Sequence, residues 1–147
     1  MFKRKSRSKK KYAEILAEHK PSGYRILRRN LDGLDGVAKR QVTITLHNEL
    51  EGNELLFVAL HEFGHIYRGH LQNVNGAHKC LKHWQEEYEA DQYAIAIMRQ
   101  NDVPIPAHML SCHKKFVREA IERDDGSEEV PIEILKYAYG KNWRKHQ

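Results

Sequence analysis

Cysteine is scarce in this chain: of 147 residues only Cys80 and Cys112 carry thiols, and neither belongs to a CxxC pair. That excludes a disulfide framework, and both side chains read as thiols. Long hydrophobic runs are missing too. None approaches the roughly 18 residues that a membrane span needs, and the N-terminus lacks the apolar core of a secretory signal. A soluble, cytoplasmic protein with no membrane partner is the expectation. There is no internal repeat, and no low-complexity segment beyond a basic N-terminal stretch. A chain of this length is expected to bury about two-thirds of its unfolded surface, enough for one domain around one core without staples.

The net charge of +5 is unevenly placed. FKRKSRSKKK, residues 2–11, holds seven of the 25 Lys and Arg and no acid, which leaves 18 basic against 20 acidic residues, a net −2, in the rest. Residues 1–11 therefore read as a solvated, disordered arm, and residues 12–147 as a single near-neutral domain. Such an arm also offers weak contact to nucleic acid or to an acidic partner.

YAEILAEH carries Tyr12, Ile15 and Leu16 at helical spacing and ends at the Pro21, Ser22, Gly23 cluster. YRILRRN and RQVTITLH read as strands, the second alternating Val42, Ile44 and Leu46 with Thr43, Thr45 and His47. LDGLDG between them reads as a turn, giving a small, half-buried antiparallel hairpin. Asn53 is placed to cap a helix from about residue 54 to 69. A second long helix is expected over about 78–100, with Leu81, Trp84, Tyr88, Ile95 and Met98 as its apolar stripe, followed by a VPIP break. A third helix should run from Ala107 to Arg123 and a short fourth should begin at Pro131.

The most apolar stretch, LLFVALHEFGHIYRGH over 55–70, is interrupted by titratable groups. His61 and His65 are four apart, so on a helix both imidazoles leave one face and can share a metal ion. Glu62 then projects beside the metal, placed to take a proton from a metal-activated water. A shuffled chain of this composition would contain roughly 0.06 HExxH matches, so the motif alone is suggestive. Its position inside a helix that follows a strand strengthens it.

Zinc with an open position for water needs a third protein ligand. QEEYEADQYA, residues 85–94, supplies candidates. Glu87 and Asp91 share a helix face, and Asp91 falls within the apolar stripe, where an acid needs a partner. Glu87 as a ligand and Asp91 as the carboxylate that orients a ligating histidine would satisfy both. Glu86 and Glu89 lie off this line and read as solvent-facing.

HEFGH followed by EYEAD, residues 87–91, resembles the gluzincin pattern HExxH…ExxxD. The small size, the strand before the motif helix and the DQYA continuation are similar to the ImmA/IrrE family of small soluble metallopeptidases, several of which phages and mobile elements encode. The resemblance spans about residues 24–106. It implies one zinc ion per chain, held by His61, His65 and Glu87, with Glu62 as general base acting on a protein or peptide substrate. HEFGHIYRGH and EYEADQYAIAIM are also similar to HtpX-type membrane peptidases, whose transmembrane helices have no counterpart here. The expected fold is a zincin-like α+β domain, a small antiparallel sheet packed on the HExxH helix with the ExxxD helix behind it.

Other histidines take plainer readings. His70 follows His65 by five residues, which on a continuing helix turns it about 140° away, and the third position of HExxHxxGxxH falls at Leu71. A metzincin site is disfavoured and His70 reads as a surface residue or pocket rim. His108 and His113 read as helix-surface residues, and His78, Cys80 and His83 as a weak second cluster. Tyr67, Arg68, Tyr93 and His113 all stay open as the group that stabilises an oxyanion. The strand ending near His47 is a candidate to pair with extended substrate. Two rival readings use the same residues: a non-enzymatic, metal-stabilised interaction module whose basic arm binds a partner or nucleic acid, and a metal hydrolase acting on something other than peptides.

Overall fold

The computed structural model describes residues 11–31, 36–39, 43–70, 81–126 and 128–147. Apart from Lys11, the basic arm lies outside the described residues, as do His78 and Cys80 of the suggested second cluster. The elements run α1 (Tyr12–His19), β1 (Arg25–Arg29), β2 (Gly36–Lys39), β3 (Thr43–His47), α2 (Gly52–Tyr67), α3 (His83–Gln100), α4 (Ala107–Arg123) and α5 (Ile132–Tyr139), with a closing 3-10 helix (Gly140–His146). The architecture is α+β.

The sheet departs from the expected hairpin. Its order is β1-β3-β2, with β1 parallel and β2 antiparallel to the central β3. Alternation in TITLH marks a strand but not its partner, and a Gly/Asp stretch between two strands suggests a hairpin that does not form. Instead Gly36, the last residue of that stretch, opens a third strand. Being central changes the burial of β3: Ile44, Thr45 and Leu46 are all buried. Arg28 on β1 donates to the carbonyls of His47 and Asn48 at 3.0 and 3.2 Å, so the outer strand also holds the turn that leads into α2.

Helix α2 starts at Gly52, not at a capped Asn53, and Glu51 in the cap position makes no side-chain cap. Asn53 spends its side chain elsewhere, donating to the Pro104 carbonyl at 2.8 Å and accepting from the Tyr12 hydroxyl. That ties the start of α2 to α1 and to the turn before α4. Every residue of α2 from Leu56 to Gly64 is buried, so this helix is enclosed on all sides instead of lying half exposed. Ile44 and Leu46 of the sheet and Ala94, Ile95, Ile97 and Met98 of α3 share its core. Full burial of Leu56, Phe57, Leu60 and Phe63 contributes about 1.5–3 kcal/mol each. A smaller cluster of Trp84, Val117, Ala120, Ile134 and Ala138 joins α3, α4 and α5.

Gly64 sets how closely α2 and α3 approach. A Cβ there would stand 3.0 Å from both the Ala90 Cα and the Tyr93 Cβ. Backbone cannot yield cheaply to such a contact, so Gly64→Val is expected to cost about 1–3 kcal/mol of stability through overpacking. Chemical denaturation reads this directly. An unchanged midpoint would mean that the two helices do not need this contact.

Candidate metal centre

An enclosed helix must still accommodate polar side chains, and α2 buries two: His61 and Glu62 are only 4% and 7% exposed. Buried polar groups need partners, and most of them come from α3. His61 Nε2 lies 3.0 Å from His65 Nε2, one helical turn on. Glu87 on α3 reaches both rings, with its carboxylate oxygens 3.4 Å from His61 Nε2 and 3.3 Å from His65 Nε2. Burial opposes the charge on Glu87, but the two imidazoles beside it more than offset this and hold its carboxyl well below the usual carboxylate range. Burial likewise opposes a charged His61, yet Asp91 and Glu87 outweigh it and raise the ring's pKa well above normal. Two nitrogens and a carboxylate facing one point all favour a cation there.

The spacing can be tested against zinc. A tetrahedral ion with ligands at 2.0–2.1 Å separates neighbouring donor atoms by roughly 3.3 Å. The separations of 3.0, 3.3 and 3.4 Å among His61, His65 and Glu87 fit that requirement. A second close group, His61, Asp91 and His113, does not. Its ring nitrogens stand 2.7 and 2.8 Å from one oxygen of Asp91, which is hydrogen-bond length.

Asp91 is fully buried and accepts three hydrogen bonds. His61 Nδ1 and His113 Nδ1 donate to Oδ1, and the Tyr137 hydroxyl donates to Oδ2 at 2.7 Å. Burial pushes the Asp91 carboxyl up, and the histidine hydrogen bonds more than offset it, bringing it down to about 2. The same environment raises the Tyr137 phenol beyond its ordinary range, through burial first and Asp91 second. Because Asp91 accepts a hydrogen bond from His61 Nδ1–H, the ring in its neutral form presents its lone pair at Nε2, the atom that faces Glu87.

Glu62 points to the other side of the group, where Gly36 begins β2. A Cβ on Gly36 would come within 3.2 Å of the Glu62 Cγ and 2.9 Å of the Val58 Cγ1, so the strand passes close over the glutamate. Among the described residues the Glu62 carboxylate has no hydrogen-bond or ion-pair partner, which leaves it free to act on a bound molecule.

His113 is not a helix-surface residue but 5% exposed, edge-on to Phe57 and bonded to Asp91. His70 is turned inward: its side chain is 1% exposed and its Nδ1 lies 2.8 Å from His65 Nδ1. The 140° offset fails because α2 stops at Tyr67 and Gly69, at φ +74°, folds the chain back. Glu89 is not free in solvent, since it meets His70 Nε2 at 2.8 Å. Glu86 is half-buried as well, and burial raises its carboxyl despite the nearby His70 and His65. Tyr67 donates its hydroxyl to the His19 carbonyl at 2.7 Å, away from any oxyanion role. His108 does lie at the surface, beside Glu54 at 2.8 Å. His83 is exposed at the start of α3. The strand ending at His47 is flanked on both sides, so it has no free edge for substrate.

Of these residues, the acid at a core-facing position was the only sign in the sequence that more partners existed. Asp91 demanded them, but α4 and α5 supply them from far along the chain. Among the described residues, no helix is long and apolar enough to cross a membrane.

Compared with known proteins, residues 20–106 match the Peptidase U49 family. No curated protein and no solved structure matches the chain. The matched span runs from the end of α1 through α3, so it contains HEFGH and EYEAD, while α4 and α5 with His113 and Tyr137 lie beyond it. With more than half of its residues inside that span, the chain belongs to the Peptidase U49 family, a family of peptidases.

Proposed function

We propose that this peptidase is zinc-dependent and of the gluzincin type, similar to ImmA/IrrE metallopeptidases, and that it hydrolyses a peptide bond in a protein substrate. The convergence of His61 Nε2, His65 Nε2 and the Glu87 carboxylate at zinc-ligand spacing carries this reading. Zinc, when bound, supplies a Lewis acid that polarises the scissile carbonyl and lowers the pKa of water. Glu62 accepts the proton of the attacking water and delivers it to the leaving amine, and its lack of other partners among the described residues supports this role. Asp91 holds His61 in the ligating tautomer, while His113 and Tyr137 hold Asp91.

Peptide docking by strand addition belongs at β2, not at β3. β2 pairs with β3 alone among the described strands, and its first residue packs against Glu62. A substrate strand laid along that edge would pass the base.

Purified protein is expected to contain about one zinc per chain, and removal of the metal with a chelator should abolish hydrolysis reversibly. Elemental analysis with no metal found, and none taken up afterwards, would end the zinc reading and leave the peptidase to another mechanism.

A further inference from the structure

The two ligating imidazoles are supported differently. His61 is held directly by a buried carboxylate, whereas His65 Nδ1 faces another imidazole, His70, at 2.8 Å. His70 Nε2 in turn lies 2.8 Å from Glu89 Oε2, and Gln85 Nε2 approaches the other Glu89 oxygen at 3.5 Å. His70 reaches this position because the chain turns at Gly69 and its own N–H bonds the His65 carbonyl at 3.0 Å.

Hydrogen-bond direction follows from the outermost member. A carboxylate only accepts, so the neutral form of His70 carries its proton on Nε2 and offers Nδ1 as an acceptor. His65 must therefore donate from Nδ1. A neutral His65 protonated at Nδ1 has its lone pair at Nε2, the atom 3.3 Å from Glu87. Reversing any one bond in the series would place a proton on Nε2, where a metal must bind.

We propose that Glu89 and His70 form a positioning relay that fixes His65 in the tautomer able to ligate a metal through Nε2. The proposal deepens the zinc reading above and rests on it for its consequence, although the tautomer itself can be measured without metal. Glu89 thus acts on the centre through two hydrogen bonds. Each of the two residues acts on the centre through His65.

The test uses the full-length chain with zinc as the probe. Competition against a chromophoric chelator should show His70→Ala binding zinc about 10- to 100-fold more weakly than wild type, the usual effect of losing an outer-sphere partner. His70→Asn, whose amide oxygen can accept from His65 Nδ1–H, should recover most of that loss. Position 89 discriminates orientation from packing. Glu89→Gln retains an acceptor and should bind within a few-fold of wild type. Glu89→Lys presents a donor, inverts the relay and should bind at least as weakly as His70→Ala. Imidazole ¹⁵N spectra of the metal-free protein at mildly alkaline pH should show His65 protonated at Nδ1 in the wild type and at Nε2 in Glu89→Lys.

A wild-type His65 protonated at Nε2, or equal zinc affinity in Glu89→Gln and Glu89→Lys when circular dichroism shows both folded, would overturn the relay. A wild type that binds no zinc overturns the metal reading instead, and the tautomer measurement then decides the relay by itself.

Discussion

Glu87→Ala is expected to lose most of its zinc. Among the described residues the glutamate is the only carboxylate that reaches both His61 Nε2 and His65 Nε2, at 3.4 and 3.3 Å, so its removal leaves two imidazoles and no anionic donor from them. The loss should exceed the roughly 100-fold ceiling typical of outer-sphere partners. Removing the carboxylate also leaves two buried imidazole nitrogens 3.0 Å apart without the group that favours a cation between them. Glu86→Ala is the control, because Glu86 neighbours the site without contacting either ligating nitrogen and should bind zinc nearly normally. A metal titration of the pair decides the matter. Tight binding in Glu87→Ala together with loss in Glu86→Ala would mean that the wrong face of α3 meets the metal.

Glu62→Gln should separate the reaction from the site that holds the metal. Glutamine matches glutamate in shape, and Glu62 lies outside the proposed ligand set, so zinc content and thermal unfolding should stay close to wild type. Hydrolysis should fall by about 10²- to 10⁴-fold, the usual contribution of a positioned general base. Peptide cleavage measured beside zinc content reads both at once. Full activity in the variant would assign the proton transfer to another group. Loss of zinc along with activity would mean that Glu62 is a ligand, and the division of labour between the α2 and α3 acids would have to be redrawn.

Both predictions follow from one local rule. Residues four apart on a helix share a face, so HEFGH already pairs His61 with His65, and EYEAD pairs Glu87 with Asp91, before any tertiary contact is known. What this rule cannot give is where a helix ends. A helix continued to residue 69 would turn His70 about 140° from His65, whereas α2 ends at Tyr67 and the positive φ of Gly69 brings His70 back against His65. Glu89 was read as solvent-facing for the same reason: its partner was not yet on that side of α3.

Long-range pairing was equally hidden. The alternation of TITLH marked β3 as a strand, yet parallel pairing with β1 and the insertion of β2 depend on how the sheet meets α2, not on the strand's own sequence. Gly36 looked like turn chemistry, and only the packed structure shows that a side chain there would collide with Val58 and crowd Glu62. By itself, the sequence determined the α+β class, the course of α1 and α4, and the two helix faces that carry His61, His65, Glu87 and Asp91, because each depends on spacing within a single segment. Tertiary structure alone decided that His113 and Tyr137 hold Asp91, that His70 and Glu89 stand behind His65, and that β2 passes over Glu62. Those contacts join residues up to 46 positions apart, and no local periodicity encodes which distant side chain will satisfy a buried one.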